Sequence, residues 1–462
     1  MIRLTTLLPA FLFLGFSCNS NIPDKNDYRP AFPVKVSTDN RYLTDQNGVP
    51  YFINSDTPWS LFVALKTGEA EFYLDDRKQK GFTSITVNLI EHWFNGDTTA
   101  YPHSSINKYG HAPFAGWIND SIVDMSKPGE NYFSHVDSVL TLALERDILV
   151  MMTPAYTGYI NLKEGWYHEL LQNGTEGCRE YGRFLGKRYM HYPNIVWIMD
   201  GDRNPDSLLR IVERELVAGI KEYDTVHLFT SHCHPGNSSR DHWEGESWLD
   251  LNAVYTYNWK AYVHEKALDN YNRNPAMPCF LFETCYENEH KYTSSQVRAG
   301  MYWGWLCTVA GQQMGNKPIW FFGKGWQNAL NSQLSTDAMR LRNLAESRKW
   351  HHLVPDADHT VLVSGYGEKE SFAACARTAD GETIIAYIPA SGAAIDIDLN
   401  KINGRKATAW WYDPQTGKSS HIGDLKTEGI RSFSKPDAND WLLVIDRSAS
   451  GLPAPGINLY VP

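Results

Sequence analysis

The chain has no run of apolar residues long enough to cross a bilayer. The stretch from Leu7 to Phe16 falls well short of the roughly 20 residues a membrane helix needs. Cysteine is scarce, with 7 in 462 residues. None shows the C-x-x-C spacing of zinc and thiol-redox motifs, which argues against both classes. Cys279 and Cys285 flank an apolar run, as buried thiols or as a disulfide pair. Positive charge is in deficit: 43 Lys and Arg face 53 Asp and Glu, a net charge of −10. That balance argues against a nucleic-acid partner, because phosphate binding needs a basic surface. No G-x-G-x-x-G follows the first candidate strand, which disfavours a dinucleotide fold. No G-x-S-x-G elbow is present, which disfavours a serine esterase of that type. There is no short internal repeat and no low-complexity segment.

What is present is globular composition, 42% hydrophobic and 21% charged, over a length that suits two domains. Aromatic content is high, 13%, with 16 Trp and 25 Tyr. Sugar rings stack their apolar faces on aromatic planes, and large cores also consume aromatics, so this feature alone is neutral between the two. At the amino end, Arg3 and the apolar run precede Gly15-Phe16-Ser17-Cys18, which has the form of a bacterial lipobox. The expectation is a signal peptide over residues 1–17, acylation of Cys18, and a polar tether over residues 18–30. An exported lipoprotein of the outer membrane follows, held by its lipid at the cell surface or the periplasmic face. The alternative is a plain secretory signal with an incidental cysteine.

Beyond the tether, apolar β-rich runs alternate with amphipathic stretches. Candidate strands are Tyr51 to Asn54, Ser84 to Leu89, Ile148 to Thr153, Ile195 to Met199, Val226 to Thr230, Ala253 to Tyr257, Cys279 to Phe282 and Gln312 to Gly315. Several are continuously apolar, as parallel strands buried on both faces should be. Between them, Thr67 is placed to cap a helix ended by Gly81, and Phe133, Val136, Leu140, Ala143 and Leu144 recur at helical spacing. Leu208, Ile211, Val212 and Leu216 do the same after the fourth strand. Eight such units predict a (β/α)8 TIM barrel over residues 31–353. From residue 354 to 462 the texture changes to short strands, Val361 to Val363, Thr383 to Ile388, Ala407 to Tyr412 and Trp441 to Ile445, separated by turn signals such as Asp380-Gly381 and Asn403-Gly404. This predicts a small antiparallel β-sandwich with a carboxy-terminal strap.

Barrel enzymes act at the carboxyl ends of their strands. There the sequence supplies Asp56, then Glu91 and His92, then Tyr156, then Asp200, Asp202 and Asn204, then His232 and His234, then Asn258, and finally Glu283. Glycoside hydrolysis needs two carboxyl groups flanking the scissile bond. Asp202 and Glu283, from the opposed fourth and seventh strands, are the candidate catalytic pair. The plain alternatives are an N-cap for Asp202 and a salt-bridged rim carboxylate for Glu283. Asp200 competes with Asp202, since it sits at the strand's last step. His232 and His234 alternate as metal-binding pairs do, but a sugar-hydroxyl ligand or a structural hydrogen bond suits them better. No metal and no cofactor are assigned. Trp59, Trp93, Tyr156, Tyr257, Trp259 and Trp320 fall near strand ends as core or as sugar platforms. Asp56, Trp59, His92, Tyr156, Asn204, His234, Tyr257 and Trp320 form the expected substrate-binding set.

The stretch Asn54-Ser55-Asp56-Thr57-Pro58-Trp59-Ser60-Leu61-Phe62 resembles the opening G-D-T-x-W motif of the apiosidase-like glycosidases, glycoside hydrolase family 140. Similar matches are Asp76-Arg77 with Lys80-Gly81-Phe82, Tyr192-Pro193-Asn194-Ile195-Val196-Trp197 leading into Gly201-Asp202, His234-Pro235, Trp248-Leu249-Asp250, Glu283-Thr284 and the Gly311 to Trp320 stretch. Ala409-Trp410-Trp411-Tyr412-Asp413-Pro414 with Thr416-Gly417 and Asp440-Trp441 resembles a β-sandwich known as a collagen-binding-type domain. The resemblance covers nearly all of the chain beyond the tether. It implies a retaining-type hydrolase acting on apiosyl linkages of the plant cell-wall polysaccharide rhamnogalacturonan II, with the acid/base on Asp202 and the nucleophile on Glu283. Two departures stand near the site. Asp200 replaces a glycine, and Ser55 replaces the glycine before Asp56.

Overall fold

The computed structural model of the chain describes residues 28–92, 105–159, 164–257 and 262–457. Cys18, Trp93, Asn258 and Trp259 lie outside them. Eight parallel strands form the core: β1 (Ile53–Asp56), β2 (Ser84–Asn88), β3 (Leu149–Thr153), β4 (Ile195–Asp200), β5 (Leu228–His232), β6 (Asn252–Tyr255), β7 (Cys279–Glu283) and β8 (Val309–Gln313). Their spatial order is β5-β4-β3-β2-β1-β8-β7-β6, so the two end strands are consecutive in sequence and the sheet curls onto itself. At that seam the amides of Asp250 and Leu251 donate to the Phe229 carbonyl at 3.0 and 3.1 Å. Thr230 Oγ1 adds a bond to the Leu251 carbonyl at 2.9 Å. The fold is a (β/α)8 barrel.

The apolar strands follow from burial on both faces. Leu149, Met151, Val196, Ile198, Phe280 and Phe282 fill the interior. Their neighbours Val150, Met152, Ile195, Trp197 and Met199 face the helices. Three strand positions differ from expectation by two residues or more, among them β5, which runs from Leu228 to His232 rather than from Val226 to Thr230. Pro50–Tyr51 belongs to a three-stranded antiparallel sheet with Lys35–Val36 and Leu43–Thr44, so β1 starts only at Ile53. β8 starts three residues earlier than expected, at Val309.

The helices are α1 (Thr67–Gln79), α2 (Glu130–Glu145), α3 (Tyr167–Tyr189), α4 (Ser207–Lys221), α5 (Ser239–Trp243), α6 (Val263–Tyr271), α7 (Ser294–Thr308) and α8 (Gln333–Glu346). Thr67 is not the cap of α1 but its first residue. Lys66 takes the cap position, with its amide bonded to Glu69. The buried face of α4 is Leu209, Val212, Glu213 and Leu216, while Leu208 and Ile211 are exposed, a phase error of one residue in the expected stripe. Asp206 caps α4 by accepting from the amides of Leu208 and Leu209 at 3.0 and 2.9 Å, which leaves Asp202 free of that duty.

The carboxy-terminal region holds two antiparallel sheets. One has six strands in the order β9-β11-β12-β17-β14-β15, the other three in the order β10-β13-β16. Here β9 is Leu353–Pro355, β10 Leu362–Ser364, β11 Ala374–Thr378, β12 Thr383–Ile388, β13 Ile395–Asp398, β14 Lys406–Tyr412, β15 Ser419–Lys426, β16 Ile430–Phe433 and β17 Trp441–Arg447. This unit shares one hydrophobic cluster with the barrel, in which Trp305 and Leu306 of α7 join Ile385, Tyr387 and Val444. A buried ion network crosses the same boundary. Arg298 on α7 binds Asp440 at 2.6 and 2.7 Å and Asp337 at 2.8 Å, and Tyr387 donates to Asp440 at 3.0 Å. Removing one member of a buried network strands the opposite charge. Arg298→Ala is therefore expected to cost about 3–5 kcal/mol in urea unfolding. A loss below about 1 kcal/mol, the value of an exposed pair, would show that the two units are not locked together there.

Candidate active site

A cavity of ≈ 440 Å³ opens at the carboxyl ends of the strands, lined by Asp202, His232 and Glu283 with Trp59, Asn88, Tyr156, Tyr159, Glu164, His234, Pro235, Tyr255, Tyr257, Tyr286, Glu289, His290 and Trp320. Its size is that of an ordinary small-ligand pocket. Two backbone irregularities aim the carboxylates into it. On β7 the pairing register with β6 shifts between Leu281 and Glu283. A bulge of this kind re-aims a side chain, and here Phe282 packs in the barrel interior while Glu283 also reaches its mouth. After β4, Asp200, Gly201 and Asp202 all have positive φ, +64°, +151° and +50°. Aspartate tolerates the left-handed region, but position 201 admits only glycine, since a Cβ there would lie 2.3 Å from the Tyr156 ring. This turn ends the strand and directs Asp202 across the mouth.

One ligand oxygen from each carboxylate and one His232 ring nitrogen all lie within 4.8 Å of one another. His232 Nε2 is 3.4 Å from Asp202 Oδ1 and 3.2 Å from Glu283 Oε2. His232 is the last residue of β5 and is buried, its ring stacked on Trp59 with centroids 5.4 Å apart and 11° between planes. Trp59 is fixed in turn by its Nε1 bond to Tyr286 Oη at 2.8 Å. Tyr156 Oη donates to Asp202 Oδ2 at 2.7 Å.

Burial favours a neutral imidazole, but the Asp202 and Glu283 charges outweigh it and raise His232 to about 9. Burial also raises Glu283, with the Asp202 charge adding to it against the hydrogen bonds from His232 and Tyr286, to about 7. For Asp202 burial works against the charge, yet the His232 cation and the hydroxyls of Tyr156 and Tyr255 hold it below the ordinary carboxylate value. The site at rest is thus an imidazolium between two carboxyl groups, of which Glu283 takes up a proton first. The same three side chains lie close enough to meet on a cation.

Of the expected substrate-binding set, Trp59, Tyr156, His234, Tyr257 and Trp320 line the cavity and Asp56, His92 and Asn204 do not. The Asp56 carboxylate is fully buried against Arg77 at 3.1 Å and Tyr73 at 2.7 Å, tying β1 to α1. His92 pairs with Glu169 at 3.1 Å and packs edge-on against Trp166. Asn204 spends its side-chain oxygen on the His234 amide at 3.0 Å and so fastens the loop rather than the ligand. His232 and His234 do not act as a pair, because His234 lies beyond the strand and stacks on Tyr159. Tyr255, Tyr286, Glu164 and Glu289 were not anticipated. Tyr255 was legible as the last step of its strand, whereas Glu164 and Glu289 reside in loops without a sequence signal.

A sequence profile described as the apiosidase-like catalytic domain matches residues 37–352. The chain belongs to the apiosidase-like family. A second profile, described as a collagen-binding domain of a collagenase, matches residues 354–446 of this glycosidase. Among solved structures it is similar to a glycoside hydrolase family 5 protein from Bacteroides vulgatus, at 25% identity and a TM-score of 0.76, covering 90% of this chain and 94% of that one. It is also similar to a structure described as a glycoside hydrolase, at 24% identity and a TM-score of 0.77, covering 91% of this chain and 99% of that one. No curated protein matches it.

With the imidazole removed, the last proton of the site rests on the two carboxyl groups alone. His232→Gln is expected to lower the upper limb of the kcat/KM profile from about 9, the value to which His232 is held in the native site, because a carboxylate is a weaker base than imidazole. An upper limb that stays in place on mutation would show that His232 does not hold the last proton.

Proposed function

We propose that this glycosidase is a retaining hydrolase of family 140 type that cleaves apiosyl linkages in rhamnogalacturonan II, with Glu283 as nucleophile and Asp202 as acid/base. The observation that carries the reading is the approach of the two carboxylates within 4.8 Å across the mouth. Retaining enzymes hold their carboxyl groups about 5–5.5 Å apart, and inverting enzymes leave about 6.5–9.5 Å for a water. Glu283 attacks the anomeric carbon while Asp202 protonates the departing oxygen. Asp202 then takes a proton from the water that releases the sugar.

The resting charges put the available proton on His232 rather than on Asp202. Its Nε2 faces Asp202 Oδ1 at 3.4 Å, so His232 is the proton's source. When a sugar fills the cavity and water leaves, the separated charges lose solvation. Transfer from imidazolium to carboxylate then gives a neutral pair. The productive state has one proton among the three groups. Below about 7 Glu283 is protonated and is no nucleophile, and above about 9 the last proton is gone. A bell-shaped kcat/KM profile with limbs near those two values is expected. The lining aromatics Tyr156, Tyr257 and Trp320 support sugar stacking. The lipobox-like Gly15-Phe16-Ser17-Cys18 supports display of the enzyme on the bacterial envelope.

The test is product analysis after incubation with apiose-containing pectic oligosaccharides beside other plant glycans. Release from the apiosylated set is expected, and Glu283→Gln is expected to lower turnover by about 10²-fold or more while sugar binding persists. Release from other glycans alone would overturn the substrate assignment. Undiminished turnover by Glu283→Gln would overturn the mechanism.

A further inference from the structure

On the helix side of β4, directly behind the Asp202 turn, a second pair of carboxyl groups is buried. Asp200 and Glu213 are 0% and 1% exposed. The left-handed conformation of Asp200 swings its side chain out of the barrel, against α4 and α5. There Asp200 Oδ2 accepts from Trp243 Nε1 at 2.5 Å and from Ser231 Oγ. The Asp200 amide donates to Glu213 Oε1 at 3.2 Å, which brings the two carboxyl groups side by side, each acting on the protonation of the other. Asp200 Oδ1 and Glu213 Oε2 are buried without a donor from any other described residue.

The titratable and charged groups around this pair do not neutralise it. Arg210 on α4 is turned to the His242 carbonyl and lies over the Trp243 ring, 4.8 Å from its centroid. Asp241 and His242 on α5, Cys233 after β5 and Cys178 on α3 are the other titratable neighbours, and none supplies a compensating cation in contact with either carboxyl. Among the described residues, neither carboxyl has a salt-bridge partner. Two buried carboxylates in contact cannot both carry charge, since each disfavours the ionised form of the other.

We propose that Asp200 and Glu213 share one proton and that this acid pair is a positioning device, locking the left-handed turn that holds Asp202 toward Glu283. The inference rests on Asp202 being the proton donor of the reaction. In the sequence pattern that the chain resembles, position 200 is a glycine, so the device belongs to this chain rather than to that pattern. Burial and the Asp200 charge push Glu213 well above its ordinary value, in keeping with a retained proton. If the second carboxyl ionises, the pair repels, and Asp200 can retreat only by moving the turn two residues before the catalytic oxygen.

The test uses Glu213→Gln, which keeps the shape and a donor for Asp200, and Glu213→Leu, which keeps bulk and removes both. With alkyl apiosides, whose departing oxygen needs a proton, kcat/KM of Glu213→Leu is expected to fall by about 10²-fold, the size of a general-acid contribution. Nitrophenyl apiosides leave without protonation and are expected to lose little, and Glu213→Gln is expected to stay near the native enzyme on both. An equal loss on both substrates, or a Gln variant as poor as the Leu variant, would overturn the positioning role. If the native enzyme cleaves neither glycoside, the apioside assignment fails, and melting curves judge the acid pair separately. A carboxyl with a raised folded-state pKa contributes stability at low pH that is lost as pH rises through that value. The native enzyme is therefore expected to lose thermal stability relative to Glu213→Gln as pH rises above the ordinary glutamate value of about 4.3. Parallel curves over that range would refute the shared proton.

Discussion

A cation held between two carboxyl groups, Glu283 buried and Asp202 half-buried, is the condition on which the rest of this molecule depends. Two unit charges within 4.8 Å of each other repel by about 3 kcal/mol or more at an effective dielectric near 20. His232 lies 3.4 and 3.2 Å from them, and each contact is worth about 5 kcal/mol of attraction on the same scale. The attraction wins, and the two acids can stand within 4.8 Å of each other. For this to work His232 must not tilt away, and its stacking on Trp59, itself pinned by Tyr286, prevents that.

The scaffold supplies rigidity everywhere except at the two places where the chemistry needs a departure. β4 and β7 alternate regularly between interior and helix side until their last residues. There a left-handed turn and a bulge bring Asp202 and Glu283 to the same point. Strain of this sort persists only where its surroundings over-determine it. Behind the turn, Trp243, Ser231 and Glu213 hold Asp200, and Thr157 Oγ1 holds the Gly201 carbonyl at 3.0 Å. On the far side of the barrel the Arg298 network makes the sandwich an extension of the same solid rather than a separate tail.

The barrel was legible in the sequence because strands buried on both faces leave nearly unbroken apolar runs. Seven of its eight strands start within two residues of their expected positions. Much of the sandwich was not legible. β15, Ser419–Lys426, is polar along most of its length because it is an edge strand with an exposed face, and its composition reads as loop. The meeting of Asp202 and Glu283 was legible from chemistry and strand order. The members of the expected binding set that do not line the cavity share a cause. Asp56, His92 and Asn204 sit at strand ends as expected, but a strand end has two sides, and the partners that claim them, Arg77, Glu169 and the His234 amide, are distant in sequence. His232 was read as a sugar-hydroxyl ligand or a structural hydrogen bond, because its place between the two carboxyl groups is recorded by no local pattern.

The account stands most directly on the stereochemistry of the first product. Proton NMR of the sugar released in the opening minutes, before mutarotation, should show the same anomeric configuration as the substrate. That is the consequence of a covalent glycosyl intermediate on Glu283. A first product of inverted configuration would require a water between the two carboxylates, in the space that His232 and their close approach deny it, and would contradict the account.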